Sequence, residues 1–224
     1  MLHLGAKGGI NMEYILSKFS HELRNPLTSV YSTVQLIETM HPEVKDFKYW
    51  SNISNDLEYM NRLLTDLSDF SKSERLQIST FSLRALLEQI SLSFAAMIAD
   101  SEVEYTAKIS PSITQITGDK TKLQEVFLNL LKNAYEAALP NNTIYLEAGL
   151  EQDCVQILVR DSGYGITEEQ LPTIFDPFVT YKKEGSGLGL AICSNIIKAH
   201  GGIISVSSVA GEGTSFLVTI PIKP

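Results

Sequence analysis

The residue best suited to covalent chemistry in this chain is His21, set in the run Phe19-Ser20-His21-Glu22-Leu23. Near neutral pH an imidazole is partly deprotonated, so its free ring nitrogen is a nucleophile, and an acidic neighbour, Glu22, adjoins it. On a helix that turns about 100° per residue, His21 lies roughly 200° from Phe19 and projects away from an apolar stripe into solvent. Pro26 cannot donate to the carbonyl of Glu22 and its ring crowds that carbonyl, so a bend is expected just beyond the histidine. Asn25 falls one turn after His21, on the same face.

Two further sets could handle a phosphorylated ligand. On a helix predicted from Asp119 to Ala138, Glu125, Asn129 and Asn133 recur four apart, while Leu123, Val126, Phe127, Leu130 and Ala134 face a core. Magnesium takes a few protein oxygens and completes its octahedron with water and phosphate oxygens, so an edge of one carboxylate and two amides can hold it. The other set is glycine-rich. Asp161-Ser162-Gly163-Tyr164-Gly165-Ile166 follows a strand, and Gly185-Ser186-Gly187-Leu188-Gly189-Leu190 leads into a helix. Glycines at 185, 187 and 189 let backbone amides approach phosphate oxygens, and the following helix adds the positive end of its dipole. Lys182 and Lys183 lie just upstream.

The elements that must position these residues fall into two groups. From Met12 to Met40, Leu16, Phe19, Leu23, Leu27, Val30, Val34 and Ile37 recur at steps of three and four, the mark of a helix with one buried stripe, ended at His41-Pro42. From Asp46 to Lys72, Trp50, Ile53, Leu57, Met60, Leu64 and Leu67 follow a heptad, so the two helices form an antiparallel hairpin. A lone hairpin cannot enclose its stripes, and pairing with a second copy into a four-helix bundle is the expected remedy. The polar stretch Ser71–Thr80 loses the heptad and reads as a linker. Beyond it come a helix to Asp100, strands near 102–108 and 112–117, and the helix of Asn129 and Asn133. Strands near 143–150 and 155–161, the glycine-rich region, a helix from Leu188 to His200, and strands 203–209 and 215–221 complete the order. This is an α+β pattern, helices on one face of a mostly antiparallel sheet.

Together the motifs resemble those of bacterial sensor histidine kinases. Ser20-His21-Glu22-Leu23-Arg24-Asn25-Pro26-Leu27-Thr28 resembles the H-box, and Asn129-Leu130-Leu131-Lys132-Asn133-Ala134 the N-box. The run from Asp161 to Ile166 resembles the G1 box, Ile174-Phe175-Asp176-Pro177-Phe178-Val179-Thr180 the F-box, and Gly185–Leu190 the G2 box; Gly211-Glu212-Gly213-Thr214 resembles the terminal glycine motif. Separately such motifs are ordinary, but their order along nearly the whole chain from Met12 is specific. At Val179 and Tyr181 the chain departs from the pattern, where many relatives have a second Phe and a second Thr. The pairing of Asn133 with Glu136 and the short lid between Thr180 and Gly185 are most similar to the nitrogen-regulation and sporulation-type kinases.

The resemblance implies a HisKA-type dimerisation and phosphotransfer hairpin over residues 12–73, preceded by a flexible leader (1–11) and followed by a linker (74–80). A GHKL, Bergerat-type α/β sandwich would then span 81–224 and bind ATP and Mg2+. His21 would attack the γ-phosphorus, and Glu22 would accept the other ring N–H and draw off the proton. Asn25 would orient the water in a phosphatase reaction on the partner. Asn133 would be the metal ligand, with Glu125 and Asn129 on the same edge, and Lys132 would approach the phosphates. Asp161 would accept from the adenine amino group; guanine offers a carbonyl there, so a carboxylate would meet an acceptor with an acceptor. Gly163, Gly165, Ile166, Phe178, Lys182, Gly185, Gly187, Leu188 and Gly189 would line the nucleotide, with Thr214 near the adenine. The phosphoryl group would pass to an aspartate of a response regulator receiver domain.

A net charge of −8 argues against a general nucleic-acid binder. No apolar run reaches the about eighteen residues that span a bilayer. The N-terminus lacks a signal-peptide pattern, and Cys154 and Cys193 are far apart, which suits the reducing cytoplasm. Two other readings use the same fold: a serine kinase or conformational ATPase of the GHKL type, and a nucleotide-binding scaffold. The hairpin with His21 argues against the first, and intact Glu22, Asn133 and Asp161 against the second.

Overall fold

The computed structural model describes residues 12–182 and 185–222; the expected leader (1–11) and Lys183 lie outside them. The chain divides into two compact units, one comprising the residues up to Lys72 together with Lys182–Ser186, the other comprising Ser73–Tyr181 and the residues from Gly187 onward. Among the described residues no helix is long and apolar enough to cross a membrane.

The first unit is a helical hairpin. Helix α1 (Met12–Met40) runs through Pro26 without interruption and ends before a 3-10 turn, Pro42–Asp46. Helix α2 (Trp50–Ser71) starts at the first heptad residue and not at the expected Asp46, because the 3-10 turn occupies 42–46 and Tyr49 adopts a left-handed backbone, φ 75°, just ahead of it. At the turn, Glu38 accepts from Trp50 Nε1 at 2.9 Å and lies 3.8 Å from Lys45. Further along, the Arg24 guanidinium reaches the Leu64 carbonyl at 3.4 Å. Leu57, Leu64 and Ser20 are buried, yet Phe19 (57%), Leu23 (44%) and Val30 (50%) of the expected stripe are exposed. Within one chain the stripe is therefore split: α2 covers one side of it and leaves the other open.

The second unit opens with strand β1 (Ser79–Ser82) and helix α3 (Leu83–Met97), then strands β2 (Glu104–Ile109) and β3 (Gln115–Gly118). Helix α4 (Lys120–Ala137), strands β4 (Thr143–Glu151) and β5 (Cys154–Asp161), helix α5 (Gly189–Ala199) and strands β6 (Ile203–Val209) and β7 (Gly213–Pro221) follow. The five-stranded sheet has the order β2-β4-β5-β7-β6, antiparallel except for the parallel pair β2·β4; β1 and β3 form a separate antiparallel pair. Alternation decides which face is dry: Ile144, Leu146, Val155, Ile157, Val159, Phe216, Val218 and Ile220 are buried, whereas Tyr145, Glu147 and Arg160 are exposed. Against the dry face lie the apolar sides of α3 (Leu86, Ile90, Phe94), α4 (Val126, Phe127, Leu130) and α5 (Ile192, Ile196). Phe81, expected to open a helix, belongs to β1 instead; Ser82 caps α3, accepting from Ala85 N at 3.2 Å. Four residues of mixed polarity are too short a strand for alternation to reveal.

Candidate functional site

Asp119 caps α4, accepting from Lys122 N at 3.1 Å, and thereby fixes where the helix starts and which edge its polar residues occupy. Along that edge Asn133 Nδ2 donates to Asn129 Oδ1 at 3.0 Å, and the Glu125 carboxylate pairs with Lys122 Nζ at 2.9 Å. The neighbouring helix is α5. A Cβ on Gly189 would come within 2.8 Å of the Asn129 amide nitrogen, so only glycine lets the start of α5 meet the middle of α4. No side chain caps α5, whose first amide donors follow the buried Leu188.

The loop after β5 is seated on two elements. Asp161, 4% exposed, accepts from Gly163 N at 2.8 Å, closing a tight turn. Gly163 abuts the Ala137 carbonyl at the end of α4, where a Cβ would overlap it, and Tyr164 N donates to the same carbonyl at 3.2 Å. On the other side Gly211 N donates to Tyr164 O at 2.8 Å, and Gly165, φ 70°, abuts the Val209 carbonyl. Burial, aided by the carboxylates of Glu136 and Asp161, raises the Tyr164 hydroxyl above the ordinary tyrosine pKa. Thr214 is Asp161's partner across β5 and β7, buried beside it.

Ser208, which nothing in the sequence singled out, fastens these parts together. Its Oγ accepts from Ile166 N at 2.8 Å and donates to the Gly213 carbonyl at 2.8 Å, so the Thr214 hydroxyl, 2.9 Å away, donates to Ser208. Replacing Ser208 with Ala should cost about 1 kcal/mol of stability, read as a lowered Tm, and should weaken nucleotide binding several-fold in the same protein.

Phe178 N donates to Gly187 O at 2.9 Å, and Phe178 holds a left-handed backbone, φ 66°, while Gly187, φ 69°, leaves no room for a Cβ against it. Tyr181, one departure from the pattern, bonds through its hydroxyl to Thr173 Oγ1 at 2.9 Å. Lys182 and Gly185 form a turn, Gly185 N to Lys182 O at 3.3 Å. Lys132, 65% exposed, lies 3.7 Å from Glu136. In the hairpin unit His21, Glu22 and Asn25 are all exposed on α1, and Glu22 lies 3.8 Å from Lys18. Both cysteines are free; Cys193 is fully buried, and burial, with Glu125 adding, pushes its thiol far above the usual range.

The second unit thus brings Glu125, Asn129, Asn133, Asp161, Gly163, Gly165, Ile166, Gly189 and Thr214 around the α4, α5 and β5 ends. This set fits a nucleotide with magnesium. Glycines at 163, 165 and 189 let the loops after β5 and before α5 pack directly on α4 and on the end of β6, where a Cβ would collide, and the donor set offers oxygens without a cluster of three acidic or imidazole ligands, none of which occurs among the described residues.

Comparisons with known proteins agree. Residues 118–224 match the family described as Histidine kinase-, DNA gyrase B-, and HSP90-like ATPase, and residues 11–76 match His Kinase A (phospho-acceptor) domain. Sporulation kinase C of Bacillus subtilis (strain 168) is 33% identical over 206 residues, covering 91% of this chain and 47% of that protein. The chain spans half or less of the length of the curated relatives it matches. Among solved structures, the catalytic domain of histidine kinase ThkA is 32% identical, TM-score 0.61, covering 66% of this chain and 97% of that one. Histidine kinase ThkA in complex with response regulator protein TrrA is 28% identical, TM-score 0.67, covering 93% of this chain and 61% of that one. A phosphoacceptor hairpin and an ATPase fold, in this order and with these motifs, make the chain a member of the histidine kinase family, of which it represents the catalytic core.

Proposed function

We propose that the chain is an ATP-dependent protein-histidine kinase that phosphorylates itself on His21 and passes the phosphoryl group to an aspartate of a response regulator receiver domain. The observation that carries this is the pairing of an exposed histidine followed by a carboxylate on α1 with a second unit in which Gly163 and Gly189 pack the loops after β5 and before α5 onto the helix that carries Asn129 and Asn133. Bound ATP supplies the phosphoryl group, and its magnesium offsets phosphate charge. Residues 12–73 serve as the dimerisation and phosphotransfer domain, 74–80 as linker and 81–224 as the ATP-binding domain. Asn133, with Glu125 and Asn129, holds the metal; Asp161 and Thr214 hold the adenine end. Gly163, Gly165, Ile166, Phe178, Lys182, Gly185, Gly187, Leu188, Gly189 and Lys132 surround the rest.

Glu22 accepts the N–H on the ring nitrogen that does not attack, keeping the other lone pair available and removing the proton as the bond forms. Its exposure beside His21 leaves it free to reorient toward the ring. Asn25, one turn on, presents an amide that orients a water against a phosphorylated partner, a phosphatase role. Dimerisation through the hairpin is supported by the open half of the stripe: Phe19, Leu23 and Val30 would be covered by a second copy. The response regulator partner is supported by the ThkA complex with TrrA. A cytoplasmic location suits both substrates.

Acid and base treatment of the product tests the chemistry. Label from radioactive ATP should be lost in acid and survive base, because a phosphoramidate hydrolyses when its nitrogen is protonated. A label that survived acid would point to the serine kinase reading instead.

A further inference from the structure

The segment leaving α2 is fastened, not slack, and its fastenings lie on the two helices of the nucleotide site. Only Lys72 separates the last residue of α2 from Ser73, whose fully buried hydroxyl accepts from Asn195 Nδ2 at 3.1 Å. Further on, Gln77 N donates to Asp119 Oδ2 at 2.7 Å. Asn195 stands on α5, which starts at Gly189 against Asn129; Asp119 caps α4, which carries Asn129 and Asn133. The far ends of these helices are themselves tied by His200. Its Nδ1 donates to the Ile196 carbonyl at 2.7 Å, so its Nε2 is the acceptor for Asp119 N at 2.8 Å, and the ring is the neutral Nδ1–H tautomer. A Cβ on Gly118 would come within 2.8 Å of that ring, which explains the glycine next to the cap.

We infer that Asn195, together with the Asp119–His200 pair, is a positioning device for phosphoryl transfer: by holding residues 73–77 on α5 and α4, it shortens the tether between the phosphoacceptor hairpin and the ATP-binding unit. The inference rests on the histidine kinase reading. With both fastenings the free tether is one residue. Without them it extends over Lys72–Ile78 up to β1, and a flexible chain of that length wanders over roughly 15 Å. Effective concentration of a tethered pair falls as the tether lengthens past its span, and transfer demands orientation as well as proximity. Asn129, Asn133, Asp161 and Thr214, by contrast, make their contacts within the second unit, so the nucleotide affinity they provide does not depend on the tether.

The test compares the parent chain with Ser73→Ala, Asn195→Leu and the double variant, measuring ATP affinity at equilibrium and the single-turnover rate of His21 labelling. Asp119 is left intact because it also caps α4. Losing the Asn195–Ser73 hydrogen bond should slow labelling about three- to tenfold, with ATP affinity within about twofold of the parent, and the double variant should be no slower than the slower single one. Amide exchange at Leu76 and Gln77 should accelerate in step. Unchanged labelling rates overturn the inference, as does a loss of ATP affinity that parallels the rate, or single effects that multiply in the double variant. A parent that acquires no label on His21 sinks the kinase reading and this role with it; a labelled parent with unaffected variants sinks this role alone.

Discussion

His21→Gln should abolish labelling by ATP while leaving nucleotide binding unchanged. Glutamine matches the histidine in length and polarity, but the lone pair of its amide nitrogen is delocalised into the carbonyl and does not attack phosphorus. The position is exposed on α1, and surface substitutions of this kind stay within about 0.5 kcal/mol, so loss of folding would not account for loss of label. Removing a nucleophile outright costs at least about three orders of magnitude in rate, which places the variant at background in a radiolabelling assay. ATP affinity measured on the same preparation serves as the internal control, since Asn129, Asn133, Asp161 and Thr214, the residues proposed to hold the nucleotide ends, all lie in the second unit. Label that persisted on the variant would move the phosphoacceptor elsewhere.

Asp161→Ala should produce the opposite pattern, with binding lost first and labelling lost as a consequence. The carboxylate is buried and accepts from Gly163 N at 2.8 Å, so its removal strands a buried amide and takes away the acceptor proposed for the adenine amino group. A hydrogen bond to a charged group contributes about 1.5–3 kcal/mol, so ATP affinity should fall about ten- to a hundredfold, with a drop in Tm from the stranded amide. Asp161→Asn separates the two effects. The amide oxygen still accepts from Gly163, so the turn survives, while the amide nitrogen can donate to a guanine carbonyl and erodes discrimination against GTP. Calorimetric titration with ATP and GTP, alongside thermal unfolding of both variants, reads each component. Normal ATP binding by Asp161→Ala would mean the adenine lies elsewhere.

Much of this architecture was legible because it is local. The three-and-four spacing of Leu16 to Ile37 described α1, the line of Glu125, Asn129 and Asn133 described the polar edge of α4, and Asp119 marked that helix's start. Each depends only on a helical period and on the preference of a short carboxylate for a helix N-terminus. The same logic misjudged the onset of α2, where a 3-10 turn and the left-handed Tyr49 intervene. The half of the α1 stripe left open within one chain agrees with the expectation that a lone hairpin does not enclose its stripes.

Side-chain types and their periodicity by themselves determined two helices in a hairpin, an exposed His21 beside Glu22, and a glycine-rich unit suited to phosphate. What joins the parts was decided by tertiary structure alone. Ile166 meets Ser208 across 42 positions, Asp119 meets His200 across 81, and Asn195 meets Ser73 across 122. No helical or strand period reaches so far. Such bonds exist because the order β2-β4-β5-β7-β6 and the packing of α4 against α5 bring distant polar groups into dry positions, where each must find a partner. A serine or a histidine in those places carries no local signature, since its role is set by whichever backbone amide the fold delivers to it.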